Sequence, residues 1–394
     1  MSGGGFRPGL VRDVAWPDGA GAALATPLQP STVYRAAGPA ALDALYERGE
    51  GFTYSREGHP NAAVLAAKID RLEGLAGGTA TSSGMSALAA VFLALLNAGQ
   101  HVVAADQLYG RTLRLMRREL PRLGVEVSFA DPTDTASLHA ALRPDTRLIV
   151  IETVSNPTLR IPDLPAIAAL AREFGALLVV DNTFPTPLGI RPLEHGADVV
   201  VHSVTKLLSG HSDVLAGYAG ARDGDVGRAI GEAAVTWGLT ASPWECWMAE
   251  RGLFTFALRH AHACASAARL ADALAGAPGV ARVIYPGRAD HPDRARAARL
   301  LAGGGNMVSF ELAGGRPAAE AFVSAAPGLA FAPTLGDVAT TLSHPASSSH
   351  REITEEARRA IGISEGCFRV SVGLEPADAL VAEVTAALEA AARA

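Results

Sequence analysis

Between residues 60 and 250, short apolar runs recur with amphipathic segments of helical length between them. This alternation constrains the fold more than any other feature of the chain. Runs at 101–105, 125–129, 148–152, 176–180 and 198–201 are rich in Val, Ile, Leu and Ala and read as strands, with a shorter one at 79–82. Segments 61–75, 84–96, 111–123 and 164–174 read as helices, the first with Val64, Leu65, Ile69 and Leu72 on one side. Strands alternating with crossover helices imply a mainly parallel sheet covered on both faces, an α/β fold. The chain has 394 residues, 49% hydrophobic and 19% charged. It is therefore long enough for two or three domains and apolar enough to bury large cores.

The flanks differ. Residues 1–58 are rich in Gly and Pro without a long period, and read as an extended arm that packs on its own domain or reaches a partner subunit. Residues 59–250 form the large α/β domain. Beyond 250, a long helix over 243–275 leads into a smaller α+β unit (251–394), with strands expected at 280–285, 307–312, 329–331 and 368–372 and a closing helix at 376–392. A net charge of −6 gives no reason to expect nucleic acid or an anionic membrane as partner. Cys246, Cys264 and Cys367 are widely spaced, which fits reduced thiols in the cytoplasm better than a disulfide framework or zinc module. The N-terminus lacks a basic segment followed by an apolar one, so secretion is not expected. The apolar stretch 87–96 is too short to span a bilayer. His260, His262 and His344 do not converge at ligand spacing, and no metal site is expected. Trp237, Trp244 and Trp247 read as packing around the domain junction.

In open α/β sheets, ligands sit beyond the carboxyl ends of the strands. The strand at 176–180 runs into Asp181-Asn182-Thr183, and the strand at 198–201 into His202-Ser203-Val204-Thr205-Lys206. An acid and a lysine thus reach one rim. A structural ion pair is the plain reading of two such residues. Two features favour chemistry instead. Thr81-Ser82-Ser83-Gly84-Met85-Ser86 turns from strand into helix, and a helix start offers free N–H groups and a positive dipole end to a phosphate. Ser203 and Thr205 flank the lysine as further donors. An amine, a buried acid and a phosphate cradle on one rim match the needs of pyridoxal phosphate.

The segment Ser203-Val204-Thr205-Lys206-Leu207-Leu208-Ser209-Gly210-His211-Ser212-Asp213 resembles the signature of the Cys/Met-metabolism pyridoxal-phosphate enzymes. The resemblance continues in order through Tyr54-Ser55-Arg56, Ser83-Gly84-Met85, Leu108-Tyr109-Gly110, Asn156-Pro157, Val180-Asp181-Asn182-Thr183, His344-Pro345-Ala346-Ser347 and Arg369-Val370-Ser371-Val372-Gly373. It implies the type I fold of pyridoxal-phosphate transferases. It also implies that Lys206 holds the cofactor and shuttles protons, that Asp181 pairs with the pyridine nitrogen, and that Asn156 donates to the phenolic oxygen. Tyr109 stacks on the ring and assists the leaving group. Gly84, Met85, Ser203 and Thr205 form the phosphate set, with Ser83 at its margin. Tyr54 and Arg56 reach the phosphate of a neighbouring subunit, making shared sites in a homotetramer built as a dimer of dimers. Arg369 clamps the substrate α-carboxylate, with Thr334 beside it, and Arg114 suits a second carboxylate.

The small-molecule substrate expected is a sulfur amino acid or activated homoserine, with γ-elimination or γ-replacement of the cystathionine γ-synthase or γ-lyase kind. Methionine γ-lyase, O-acetylhomoserine sulfhydrylase and cystathionine β-lyase chemistry stay open, as, remotely, does a scaffold without turnover. Several positions depart from the family pattern: Glu57, the run Gly58-His59-Pro60-Asn61, Arg111, Val154, Pro333 and Ala339.

Overall fold

The computed structural model describes residues 23–49 and 51–393. The strands of the large unit are β1 (Thr79–Thr81), β2 (His101–Ala105), β3 (Glu126–Ala130), β4 (Thr146–Glu152), β5 (Leu177–Asp181), β6 (Val199–Ser203) and β7 (Gly217–Ala221). They form one sheet in the order β1-β7-β6-β5-β4-β2-β3. Every pairing from β6 across to β3 is parallel, and β7 alone runs against its neighbours β1 and β6. The residues of β2 are all buried, as expected of a strand covered on both faces. The expected mainly parallel sheet is present.

The second unit is a five-stranded sheet of β8 (Val280–Ile284), β9 (Met307–Leu312), β10 (Ala330–Phe331), β11 (Thr341–Ser343) and β12 (Cys367–Ser371), in the order β10-β11-β12-β9-β8. It has its own core, in which Phe310, Phe322 and Phe368 meet with ring centroids 5.3–5.5 Å apart. Among the described residues no helix is long and apolar enough to cross a membrane.

Four sequence expectations need correction. The arm contains a helix, Pro39–Arg48, bounded by Gly38 and by Gly49 at φ +63°; none of its residues is buried, so no apolar stripe betrayed it. The helix expected over 111–123 is broken into Gly110–Arg114, a wide π turn at Leu115–Glu119, and Leu120–Arg122. Pro121 has no N–H to give the carbonyl four residues back, and the wider turn absorbs that break. The helix expected over 243–275 is two helices, Pro243–Leu253 and Phe256–Ala275. At the break the Thr255 amide turns back onto the Gly252 carbonyl at 3.3 Å, and Arg259 donates to the same carbonyl at 2.8 Å and to those of Leu207 and Leu208. The tryptophans are the fourth case, in part: Trp237 is exposed, whereas Trp244, though exposed, has its ring 5.8 Å from that of Trp247, whose Nε1 donates to the Thr26 carbonyl at 2.8 Å.

The arm is stitched to the large unit by the residues that depart from the family run. His59 caps helix Pro60–Glu73 by accepting from the Ala62 amide at 3.1 Å, and its other ring nitrogen bonds the Ala241 carbonyl at 3.0 Å. Asn61 donates to the Pro27 carbonyl and accepts from the Gln29 amide. Glu57 accepts from the Thr53 hydroxyl. These substitutions do structural work on the arm.

Candidate active site

Three adjacent parallel strands end at one rim in polar residues: β4 in Glu152, β5 in Asp181 and β6 in Ser203. The register sets Glu152 directly beside Asp181. One oxygen of Asp181 accepts from the Thr183 amide at 3.0 Å and the Thr183 hydroxyl at 2.5 Å. Among the described residues, none of its hydrogen bonds falls on the other oxygen, which is left to a ligand. Burial raises the Asp181 carboxyl above the ordinary range, against the bonds from Thr183.

Lys206 sits one turn beyond β6, its amide bonded to the Ser203 carbonyl at 3.1 Å. Its Nζ donates to Thr334 Oγ1 at 3.3 Å. Burial, then the nearby Arg369 charge, lowers its pKa, which favours the neutral amine that can act as nucleophile or base. Arg369 comes from β12 of the smaller sheet and is buried. It donates from Nη1 to Asn156 Oδ1 at 2.8 Å and from Nη2 to the Thr334 carbonyl at 2.7 Å. Its Nε is buried without a partner, and burial pushes the guanidinium down to about 10. A buried guanidinium with an unused donor is costly unless an anion completes it. Because Asn156 uses its carbonyl oxygen on Arg369, its NH₂ is left to donate elsewhere.

These residues line one cavity of about 850 Å³ at the junction of the two sheets, with Gly84, Met85, Tyr109, Arg114, Ser203, Thr205 and Thr334 also on its walls. Ser83 caps the helix Gly84–Leu95, accepting from the Ser86 amide at 3.1 Å. A Cβ at Gly84 would lie 2.8 Å from Ser203 Cβ, so only glycine lets the helix start come this close to the end of β6. The single proton of the Thr205 hydroxyl is used on the Ala216 carbonyl at 3.1 Å. Tyr109 is 40% exposed, so it is not a core aromatic.

Tyr54 and Arg56 are the two sequence-derived candidates that do not line this cavity. Tyr54 lies on the arm, where Val33 bridges it, and is 40% exposed. Arg56 lies beside the Tyr54 ring and donates to the Val235 carbonyl at 3.3 Å.

Sequence reasoning missed Glu152. This buried carboxylate accepts from the amides of Tyr109 (2.6 Å) and Asn156 (3.2 Å), and so ties two cavity loops to the end of β4. Burial, and then the neighbouring Asp181, raises its pKa well above the usual range. The signal was available, since Glu152 closes its strand just as Asp181 closes the next. Phe184, whose ring lies 5.7 Å from the Arg369 guanidinium, and Glu352, which pairs with Arg114, had no such signal. No group of three metal-ligating side chains occurs among the described residues.

The family model described as Cys/Met metabolism PLP-dependent enzyme matches residues 10–389. The chain belongs to this family. A cystathionine beta-lyase of Bacillus subtilis is 39% identical over 96% of this chain and 95% of that protein. An L-methionine gamma-lyase of Fusobacterium nucleatum subsp. nucleatum is 40% identical over 86% of each. The crystal structure of cystathionine gamma synthase from Xanthomonas oryzae pv. oryzae, in complex with aminoacrylate and cysteine, superposes with a TM-score of 0.91, 39% identity and 97% coverage of both chains. This member of the family is therefore a pyridoxal-phosphate enzyme of sulfur amino acid metabolism, with the type I fold. Its own residues fit the cofactor: an acid oxygen left open at Asp181, an amine at Lys206, and a glycine-lined approach between Gly84 and Ser203.

Proposed function

We propose that this enzyme carries out γ-elimination or γ-replacement on a sulfur amino acid or activated homoserine bearing a second charged end, of the cystathionine γ-lyase or γ-synthase kind. The observation that carries the reading is that one cavity holds guanidiniums at both ends, Arg369 buried beside Lys206 and Arg114, among further arginines, at the mouth. One anchors an α-carboxylate through its unused Nε; the other faces whatever charge lies at the far end of the substrate.

Lys206 and Asp181 would hold pyridoxal phosphate, with Gly84, Met85 and Ser203 around its phosphate and Thr205, whose hydroxyl proton is used on Ala216, beside it; when bound it would supply an electron sink for negative charge at the substrate Cα. The protein's own groups do the rest. Arg369, fixed by Asn156 and the Thr334 carbonyl, orients the α-carboxylate so that the Cα proton faces the Lys206 amine. Lys206, with its lowered pKa, takes that proton at Nζ, and only after passing it on is its amine free again to take a proton from Cβ. Tyr109, held by its amide to Glu152, offers its hydroxyl to the departing sulfur or oxygen. Asn156, its carbonyl oxygen used on Arg369, would donate through its NH₂ to the cofactor's phenolic oxygen.

The same reading assigns residues 1–58 to an arm that brings Tyr54 and Arg56 to a neighbour's site, 59–250 to the cofactor domain and 251–394 to the domain that closes it. The assembly is a homotetramer of two such dimers. Exposed apolar side chains at Leu24, Val33, Tyr46, Trp237 and Trp244 support burial against further copies. Three free cysteines fit a cytoplasmic location, with neither membrane nor nucleic acid as partner.

Incubation with cystathionine, and with O-succinylhomoserine plus cysteine, followed by product analysis, tests the reading. Formation of cysteine and a 2-oxo acid, or of cystathionine, supports it; turnover of neither rejects it. Methionine γ-elimination is the second reading, drawn from the Fusobacterium relative, and release of methanethiol undiminished by Arg114→Ala would favour it.

A further inference from the structure

We infer that Glu352, working as a pair with Arg114, is a specificity-determining residue that reads the ammonium group at the far end of a zwitterionic substrate. This deepens the proposed function and rests on it. The two side chains come from different parts of the chain. Arg114 ends the short helix Gly110–Arg114, and Glu352 lies between the turn Pro345–Ser347 and the helix Glu355–Ala360. They meet across the mouth of the cavity that holds Lys206, Arg114 Nη1 lying 3.1 Å from one Glu352 oxygen and 3.5 Å from the other.

The pair does little for folding. Its side chains are 42% and 51% exposed, and an ion pair so exposed contributes almost nothing to stability. It is therefore free to exchange partners. A positive and a negative group in contact at a cavity mouth form the complement of an amino acid headgroup, whose carboxylate and ammonium are separated by one carbon. Cystathionine carries such a headgroup at its distal end as well as its reacting end. In the bound state Arg114 takes the distal carboxylate and Glu352 the distal ammonium, so each charge leaves one ionic partner for another and none is left bare.

The charge of the rim makes Glu352 decisive. Arg111, Arg117, Arg118 and Arg351 line the same cavity alongside Arg114. The other carboxylates on its walls, Asp106, Glu152 and Asp181, sit at the ends of β2, β4 and β5. Glu352 alone among the lining residues sets a negative charge against Arg114. Without it the rim is a cluster of arginines suited to an end with a bare carboxylate, such as a succinyl ester. With it, part of that attraction is screened and an ammonium has a partner.

The test compares dissociation constants for L-cystathionine, O-succinyl-L-homoserine and L-methionine, read from the change in the bound cofactor's absorbance on rapid mixing with the wild-type holoenzyme, Glu352→Gln and Arg114→Ala. The bound substrate shields Glu352 and its ammonium partner from water as the empty mouth does not, and loss of one such charge-assisted contact corresponds to about tenfold in affinity. The expected result is opposite signs. In E352Q the affinity for cystathionine relative to methionine falls about tenfold, while that for O-succinylhomoserine relative to methionine stays level or rises. In R114A both ratios fall. Equal ratios in wild type and E352Q, or a parallel fall for cystathionine and O-succinylhomoserine in E352Q, overturns the assignment. If none of the three ligands perturbs the wild-type spectrum, the sulfur amino acid reading itself fails and this inference with it. Binding of all three with unchanged ratios sinks only the role of Glu352.

Discussion

Glu152 gathers more of the site than its position suggests. One buried carboxylate receives the amides of both Tyr109 and Asn156, and Asn156 in turn holds Arg369. Replacing it with Gln keeps the volume but turns one acceptor into a donor, which then faces a backbone N–H. We expect Glu152→Gln to retain the cofactor and lose about tenfold in kcat/KM, equivalent to about 1.4 kcal/mol of transition-state binding. The loss arises because Tyr109 and the Arg369 clamp are displaced together. Absorbance of the bound cofactor and steady-state kinetics on the same preparation check both halves. A wild-type kcat/KM would show that the carboxylate only satisfies burial. At this scale the sequence pointed to residues that the fold brings to one cavity: the amine at 206 and the acid at 181 from the strand ends, and the arginine at 369 from the family resemblance. It was silent on Glu352, because a partner that meets Arg114 only through the fold leaves no mark in local spacing.

Elements were legible to the degree that their pattern is local. β2, β4, β5 and β6 are near-continuous runs of Val, Leu, Ile and Ala, and each was expected within a few residues of where it lies. β7 was not, because its sequence Gly217-Tyr218-Ala219-Gly220-Ala221 is glycine-rich for a reason outside itself. A Cβ at Gly217 would lie 2.1 Å from the Ser83 carbonyl oxygen. The same crowding argues for a prediction at the neighbouring element. Gly84→Ala would force the start of helix Gly84–Leu95 off the end of β6, and overpacking of this kind costs about 1–3 kcal/mol. The expected outcome is a lowered melting temperature and, because the phosphate cradle widens, cofactor that dialyses away faster than from wild type. Unchanged retention would place the phosphate elsewhere. The helix Phe256–Ala275 supports a pH prediction. Burial, then the adjacent Arg259 charge, pushes His260 down from its ordinary value near 6.5 to about 4. A group depressed on folding contributes stability that is present above its unfolded pKa and lost as pH falls toward the folded one. Melting temperatures of wild type should therefore drop relative to His260→Gln between about pH 6.5 and pH 4, with the difference constant above that window. Parallel curves throughout would mean that His260 has the same pKa in the folded and the unfolded chain.

At the scale of the whole molecule, the smaller sheet and the large one share a single site, because Arg369 on β12 and Lys206 beyond β6 are bridged by Thr334. Tyr54 and Arg56 stand on the arm and do not line their own chain's cavity. The arm's anchoring explains how they can serve elsewhere. His59 and Asn61 fix its base to the large unit, and the bridge between Val33 and Tyr54 holds the arm's two limbs together with Tyr54 outward. If the site is completed by a neighbour, two inactive variants should rescue each other. A Lys206→Ala chain has a dead site but an intact arm; an Arg56→Ala chain has an intact lysine but a defective arm. In a mixed dimer, the lysine of the second chain meets the arm of the first and one site of two is whole. Random reassociation of equal amounts makes half the dimers mixed, so about a quarter of wild-type activity should return in a symmetric dimer of this kind. The measurement is turnover of a denatured and co-refolded mixture against each variant refolded alone. A mixture no more active than the average of its two components would confine each site to one chain, and the arm would then be a strap on its own domain.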